Sequence, residues 1–377
     1  MSETIPPSSS TASSAAASAS SASSSSASPS DRRSTLSLSV LDLALVSDGQ
    51  RSRDALLATE QVAKTVESLG YGRIWVAEHH NMATVASTSP AVLIAHLASV
   101  TSTIRVGSGG VMLPNHSPLV VAEQFALLEA LHPGRIDLGI GRAPGTDRST
   151  AAVLRRSPDS RDDQDFPHHL IDLMGLLGDR RRDSGLWQHF RASPELEGRP
   201  EIFLLGSSGF SAQLAGILGL PFAFAHHFDM GGTVEAVDVY RDNFEPSPIL
   251  DQPYHLVTAS VLAAETTDVA VRLAAPNRLR RLGLRTGRVL PLHDPETALA
   301  HPLFPRAAQL DTSALVGTAS EVCQGLASLA SRTGAAELML FTSTFALEDR
   351  LRSFELIADR WGLQGPDGAV SAPMPSE

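Results

Sequence analysis

Val106-Gly107-Ser108-Gly109-Gly110-Val111-Met112-Leu113-Pro114 and Gly134-Arg135-Ile136-Asp137-Leu138-Gly139-Ile140-Gly141-Arg142 decide how this chain folds. With the upstream run Ile74-Trp75-Val76-Ala77-Glu78-His79-His80, they are three short apolar segments of β type. Each stops at polar or glycine-rich residues, the pattern expected when strand ends deliver chemistry to one rim. Between them, 91–100 and 119–131 have the length and apolar content of helices, so the unit is strand then helix and the strands run parallel.

Outward from this segment the alternation continues. Residues 38–45 read as a first strand, and 56–69 as a helix with Leu57, Val62, Val66 and Leu69 on one face and Gly70 as its C-terminal stop. Downstream, strands are expected at 201–205, 222–225, 255–263 and 337–341, with helices at 166–177, 211–218, 234–243, 267–282 and 319–331 between them and 350–361 closing the chain. Residues 287–312, rich in Pro, His and Leu without period, read as a long excursion or lid. Eight strand–helix units over about 325 residues fit a (β/α)8 TIM-type barrel with one insertion near 287–312. The rival is a doubly wound sheet, which would place a Gly-x-Gly-x-x-Gly turn after its first strand; the chain has Val46-Ser47-Asp48-Gly49-Gln50 there, and the barrel is preferred.

Composition bounds the partners. Of 377 residues 42% are hydrophobic, enough for a large core, and the formal charge of −11 with no basic stripe argues against nucleic acid. Apolar stretches fall short of the roughly 18 residues of a membrane span. The one cysteine, Cys323, excludes an internal disulfide framework and fits a reducing compartment, so a cytoplasmic location is expected. Residues 1–35, nearly all Ser, Ala, Thr and Pro, read as a disordered tail, 36–362 as the barrel and 363–377 as a second tail; a cleavable targeting peptide would need more basic residues than Arg32 and Arg33.

In a barrel the C-terminal strand ends form the catalytic rim. His79 and His80, after Glu78, therefore either handle protons near neutral pH or form a structural pair. A metal site is disfavoured, because adjacent residues on a strand face opposite ways and no further ligand cluster accompanies them. Gly109-Gly110 means a bulge or the close approach of something flat to the backbone. Gly141-Arg142 and Gly206-Ser207-Ser208-Gly209 are anion candidates, since Ser208 opens a helix whose free N–H groups favour phosphate and an arginine adds charge-assisted bonds; the plain alternative is an ordinary serine N-cap. Arg161 is a further basic candidate inside the charged run 155–165. No Gly-x-Ser-x-Gly elbow and no second strand-end carboxylate support a serine hydrolase or a glycosidase. Cys323 falls within a helical pattern and reads as packing.

The chain resembles the bacterial luciferase-like flavin monooxygenases, the LLM class of flavin-dependent oxidoreductases, and within it the MsnO8-like subgroup. The resemblance runs from about 36 to 361. It is carried by Val76-Ala77-Glu78-His79-His80, 106–114, Leu119-Val120-Val121-Ala122-Glu123-Gln124, 134–139, Leu205-Gly206-Ser207-Ser208 and Val316-Gly317-Thr318. It implies a barrel that binds reduced FMN, which reacts with O2 to a C4a-peroxyflavin and oxidises a small organic substrate; NAD(P)H serves directly or through a separate flavin reductase, and a homodimer is the family expectation. By position it makes His79, with His80 beside it, the catalytic histidine. Glu78, Gly109, Gly110, Arg142, Arg161, Ser207, Ser208 and Ser211 become cofactor residues, with a non-prolyl cis peptide at Gly109–Gly110 against the flavin ring. Gly141 stands where luciferase has a reactive cysteine, so light emission from an aldehyde is not expected; Ser207 stands where luciferase has a carboxylate, a softer change because the backbone N–H can still serve. Two alternatives stay open: an F420-dependent hydride-transfer enzyme on the same barrel, and a non-catalytic flavin-binding paralogue.

Overall fold

Eight parallel strands close into a ring in the computed structural model, which describes residues 36–155, 162–196 and 198–366. The ring comprises β1 (Ser37–Asp42), β2 (Arg73–Val76), β3 (Arg105–Met112), β4 (Ile136–Gly141), β5 (Glu201–Gly206), β6 (Phe222–Phe224), β7 (His255–Ala264) and, after an extra strand β8 (Leu315–Thr318), β9 (Glu337–Phe341). Neighbours pair in chain order from β1 to β7; β9 then joins β7 to β1, which closes the barrel. The tail at 1–35 and residues 367–377 of the second tail lie outside the described residues, as does Arg161. The first residues of that second tail, 363–366, are described, and Leu363 packs on the core with its N–H donating to Ala358 O at 3.0 Å, so there the barrel runs past 362.

The helices that cover the ring include α1 (Ser52–Ser68), α2 (Pro90–Val100), α3 (Pro118–Leu131), α4 (Arg148–Arg155), α5 (Asp162–Leu176), α6 (Gly209–Ile217), α7 (Thr233–Asp242) and α8 (Thr267–Arg285). The strands are buried on both faces, which is why they read as continuous apolar runs. Their outward side chains, such as Val40, Ile74, Val106 and Leu338, meet the helices in one large core. Their inward side chains, Leu41, Trp75, Phe203, Ala223, Leu256 and Met339, fill the barrel interior.

One expectation needs correction. Residues 287–312 are not a structureless excursion, for α9 (Pro295–Ala300) and α10 (Phe304–Ala308) fold there, and Ala298 and Ala307 pack on Ala275, Leu279 and Leu282 of α8. Asp294 caps α9 by accepting the Thr297 N–H at 3.0 Å, and Pro295 opens it; six and five residues are too few to show a period. After them β8 extends the far end of the long β7, pairing with Val261–Ala264, before α11 (Ala319–Thr333), β9 and α12 (Leu347–Trp361) close the chain. Cys323 is buried on α11, as packing requires.

The N-terminal end of the barrel is stoppered by charge. Arg73 donates to Asp137 at 2.8 Å and Glu337 at 2.9 Å, and reaches Glu201 at 3.3 Å. Trp75 Nε1 donates to Asp137 at 2.9 Å, and Tyr254 and Ser39 donate to Glu337. A buried cation held by three carboxylates leaves only the opposite end open for a ligand.

Candidate active site

The open end holds a cavity with about 890 Å³ of space between atoms, part of it continuous with solvent. Leu41, Trp75 and Met339 reach it from the barrel interior, and His79, Gly109, Arg142, Ser207, Ser208 and Ser211 stand around its wall. The fold therefore brings residues from the ends of β2, β3, β4 and β5 to one place.

His79 follows the last residues of β2, and its backbone N–H donates to Ser87 O at 3.0 Å, which fixes the chain as it leaves the strand. Its side chain lines the cavity, while its Nδ1 is buried with no hydrogen-bond partner. Burial, and next the charge of Arg280, push this imidazole below the usual histidine value, so it is neutral at pH 7 and can take up a proton only at lower pH or from a bound group.

Glu78 and His80 do not share that position, a departure from their assignment to the catalytic and cofactor set. Glu78 is fully buried: Oε1 accepts from His80 Nε2 at 2.8 Å and His116 Nε2 at 2.9 Å, and Oε2 accepts the Met112 N–H at 2.9 Å. Burial alone would raise its carboxyl, but the bonds from His116, His80 and Met112 prevail and hold it below its usual value. Its oxygens are taken, so it ties β2 to the end of β3 and positions His79 from behind. Neither Glu78 nor His80 lines the cavity.

The Gly109–Gly110 peptide is cis, and the β3–β4 register shifts between Gly109 and Val111. Gly109 lines the cavity, and a Cβ there would come within 2.8 Å of Leu41 Cδ1 and 3.2 Å of Trp75 Cβ. Gly110 is behind it: a Cβ would lie 2.3 Å from Leu205 Cδ1 and 2.6 Å from Gly139 O. The bulge expected from the sequence is present, and the backbone of Gly109 faces the cavity.

The polar side of the cavity is made by β4 and α6. Arg142 follows Gly141 directly, and its guanidinium stacks on Phe210 with Cζ 4.2 Å from the ring centroid. Ser208 is the N-cap residue of α6 with extended backbone, yet its hydroxyl makes no capping bond. The first-turn N–H groups and that hydroxyl are thus left to a ligand. Ser211 is buried one turn in, and Ser207 precedes the cap.

Sequence reading passed over His227. It follows β6 as His79 follows β2, lines the same cavity, has an unpartnered buried Nδ1, and is pushed down to about 3 by burial with the Arg281 charge second. The signal was present, since His226-His227 ends a barrel strand as His79-His80 does. Among the described residues no helix is long and apolar enough to cross a membrane.

Comparison with known proteins agrees with this geometry. A family profile described as luciferase-like monooxygenase matches residues 36–337. A luciferase-like monooxygenase of Escherichia coli strain K12 is 42% identical over 86% of this chain and 97% of its own length. An N-acetyl-S-alkylcysteine monooxygenase of Bacillus subtilis is 34% identical over 86% and 98%. The crystal structure of apo-MsnO8 superposes with a TM-score of 0.80 at 39% identity, covering 88% of this chain and 99% of that one.

Proposed function

Because the chain belongs to the luciferase-like monooxygenase family, we propose that it binds reduced FMN in the cavity at the C-terminal end of the barrel and uses O2 to oxidise a small organic substrate. One observation supports this most: a single cavity joins an unpartnered histidine, a wall of bare glycine backbone and a cationic helix N-terminus. The residues fit the cofactor. Arg142, Ser207, Ser208 and the free N–H groups of α6 suit a phosphate. Leu41, Trp75 and Met339 offer apolar surface to a flat ring, and Gly109 removes the side chain that would stand against it.

FMN, when bound and reduced, supplies the electrons that activate O2. The chain's own residues bind, orient and exclude water. His79 Nδ1, without a protein partner, is the group that would hold or pass a proton in the cavity, and Glu78 braces the end of β2 that carries it by accepting the Met112 N–H at the end of β3. The Bacillus relative, named for a monooxygenation of N-acetyl-S-alkylcysteines, lends support to a small-molecule substrate. Reduced flavin is proposed to arrive from a separate reductase or to be formed with NAD(P)H at the protein itself.

The test is direct. Photoreduced FMN is mixed with the protein, oxygen is admitted, and the absorbance is followed. A transient spectrum unlike oxidised or reduced FMN is expected; bound FMN that reoxidises as fast as free flavin would overturn the monooxygenase reading, and reduced F420 binding in its place would favour the hydride-transfer alternative. Arg142→Ala is expected to weaken FMN by about 1.5–3 kcal/mol, the worth of a charge-assisted hydrogen bond, and to leave riboflavin binding unchanged. Equal loss for both flavins would move the phosphate elsewhere.

A further inference from the structure

A second cavity adjoins the first and shares Leu43, His79, His227 and Phe228 with it. One side is apolar, built from Met82, Val85 and Phe341; the other is α8, which brings Arg280, Arg281 and Arg285 to it. Two of these arginines are paired within the protein: Asp229 accepts from Arg281 and stands 3.7 Å from Arg285.

Arg280 has no such partner. It is 7% exposed, its Nε is buried without a hydrogen bond, and no carboxylate of the described residues pairs with it. Its guanidinium is pushed down to about 10 by burial, with nothing opposing, and so it keeps its charge at neutral pH. The two other arginines buried to this degree among the described residues behave differently, for Arg73 is held by Asp137 and Glu337 and Arg350 donates to Asp42 at 2.8 Å. A buried cation left alone is costly, and proteins pair such charges. Here the missing counter-charge is on the open side, beside His79.

We propose that Arg280 anchors the anionic end of the substrate, so that the molecule oxidised is an amphipathic carboxylate. Its apolar body lies against Met82, Val85 and Phe341, and its other end is directed past His79 toward the flavin cavity. This rests on the flavin reading for which atom is oxidised, but the anion site can be tested without flavin. Asp229 takes up Arg281, and Arg285 and Arg288 of the same wall are exposed to solvent, which leaves Arg280 as the buried cation of this wall without a partner among the described residues; a planar guanidinium suits a carboxylate in two-point contact.

The probes are 3-phenylpropanoate and its neutral counterpart 3-phenylpropanamide, titrated by calorimetry into the full-length protein with and without FMN. The wild type is expected to bind the carboxylate at least about tenfold more tightly than the amide. Arg280→Met, similar in bulk and uncharged, is expected to abolish that preference, and Arg280→Lys to keep part of it. Equal binding of the two probes by the wild type, or an unchanged preference in Arg280→Met, overturns the proposal. Flavin is the other source of an anion here, so FMN and riboflavin are titrated into the same variants. An unchanged preference for FMN in Arg280→Met supports a substrate anion, and loss of that preference assigns Arg280 to the flavin phosphate and overturns it. If no flavin binds the wild type while the carboxylate preference persists, the anion site stands and the flavin reading falls.

Discussion

His79 and His80 are adjacent, chemically identical and differently used. One faces the cavity with a free Nδ1; the other is spent on Glu78. His79→Ala is expected to leave FMN affinity nearly intact and to lower product formed per flavin oxidised by about a hundredfold or more, the usual worth of a positioned proton donor or acceptor; unchanged turnover would remove His79 from the site. The sequence showed that a histidine pair ends a strand, but not which member turns inward, because that depends on how the chain leaves β2 through the Ser87 contact. A structural histidine shows the contrast. His255 is 3% exposed, donates Nε2–H to Thr333 O at 3.1 Å, and is held down to about 4 by burial and then by Arg241. Between pH 6.5 and 4 the unfolded chain binds a proton that the folded chain refuses, so this contribution to stability is whole above about pH 6.5 and is lost as pH falls toward 4. Urea midpoints at pH 7.5 and pH 5 are expected to differ less in His255→Gln than in the wild type; an identical difference would assign the acid sensitivity to other groups.

The glycines of β3 and β4 act as a unit. A Cβ at Gly139 would sit 2.1 Å from Ser108 O, whose hydroxyl donates to Gly139 O at 2.9 Å. Gly139→Ala is therefore expected to force the strands apart, to cost about 1–3 kcal/mol of stability and to weaken FMN by displacing Gly141 and Arg142. A wild-type urea midpoint and flavin titration would show that the two strands can absorb a methyl group. The glycine-rich runs marked this pair of strands in the sequence, since backbone approach needs glycine whatever lies beyond. At α6 the sequence left an anion site and an ordinary serine N-cap side by side; that the Ser208 hydroxyl makes no capping bond belongs to the folded geometry. In the insertion the short helices α9 and α10 are held by tertiary contact with α8, and local periodicity could not announce them.

The two ends of the barrel divide stability from ligand binding. Arg73 and its carboxylates lie at the N-terminal end and the cavity at the other. Arg73→Met leaves Asp137 and Glu337 as buried charges without their cation, and a loss of about 3–5 kcal/mol is expected in urea unfolding. FMN affinity, measured where the variant is folded, is expected to stay within error; a large fall would mean that the ends are coupled.

The parallel barrel, its eight ring strands and the strand ends that surround the cavity were legible in the sequence, because period, glycine and strand-end polarity are local properties of a chain; β8, four residues long and paired only with the far end of β7, was not. What tertiary structure decided is which charged groups are left without partners. Glu78 was readable as a strand-end acid, yet His80, His116 and Met112 use it up. Arg280 was one of several arginines in a helix, and only burial without a carboxylate partner among the described residues sets it apart. Pairing is a relation between distant segments, such as Arg73 with Glu337 or Arg350 with Asp42. No window of sequence contains both members, so the free charges that define a site appear only once the chain is closed on itself.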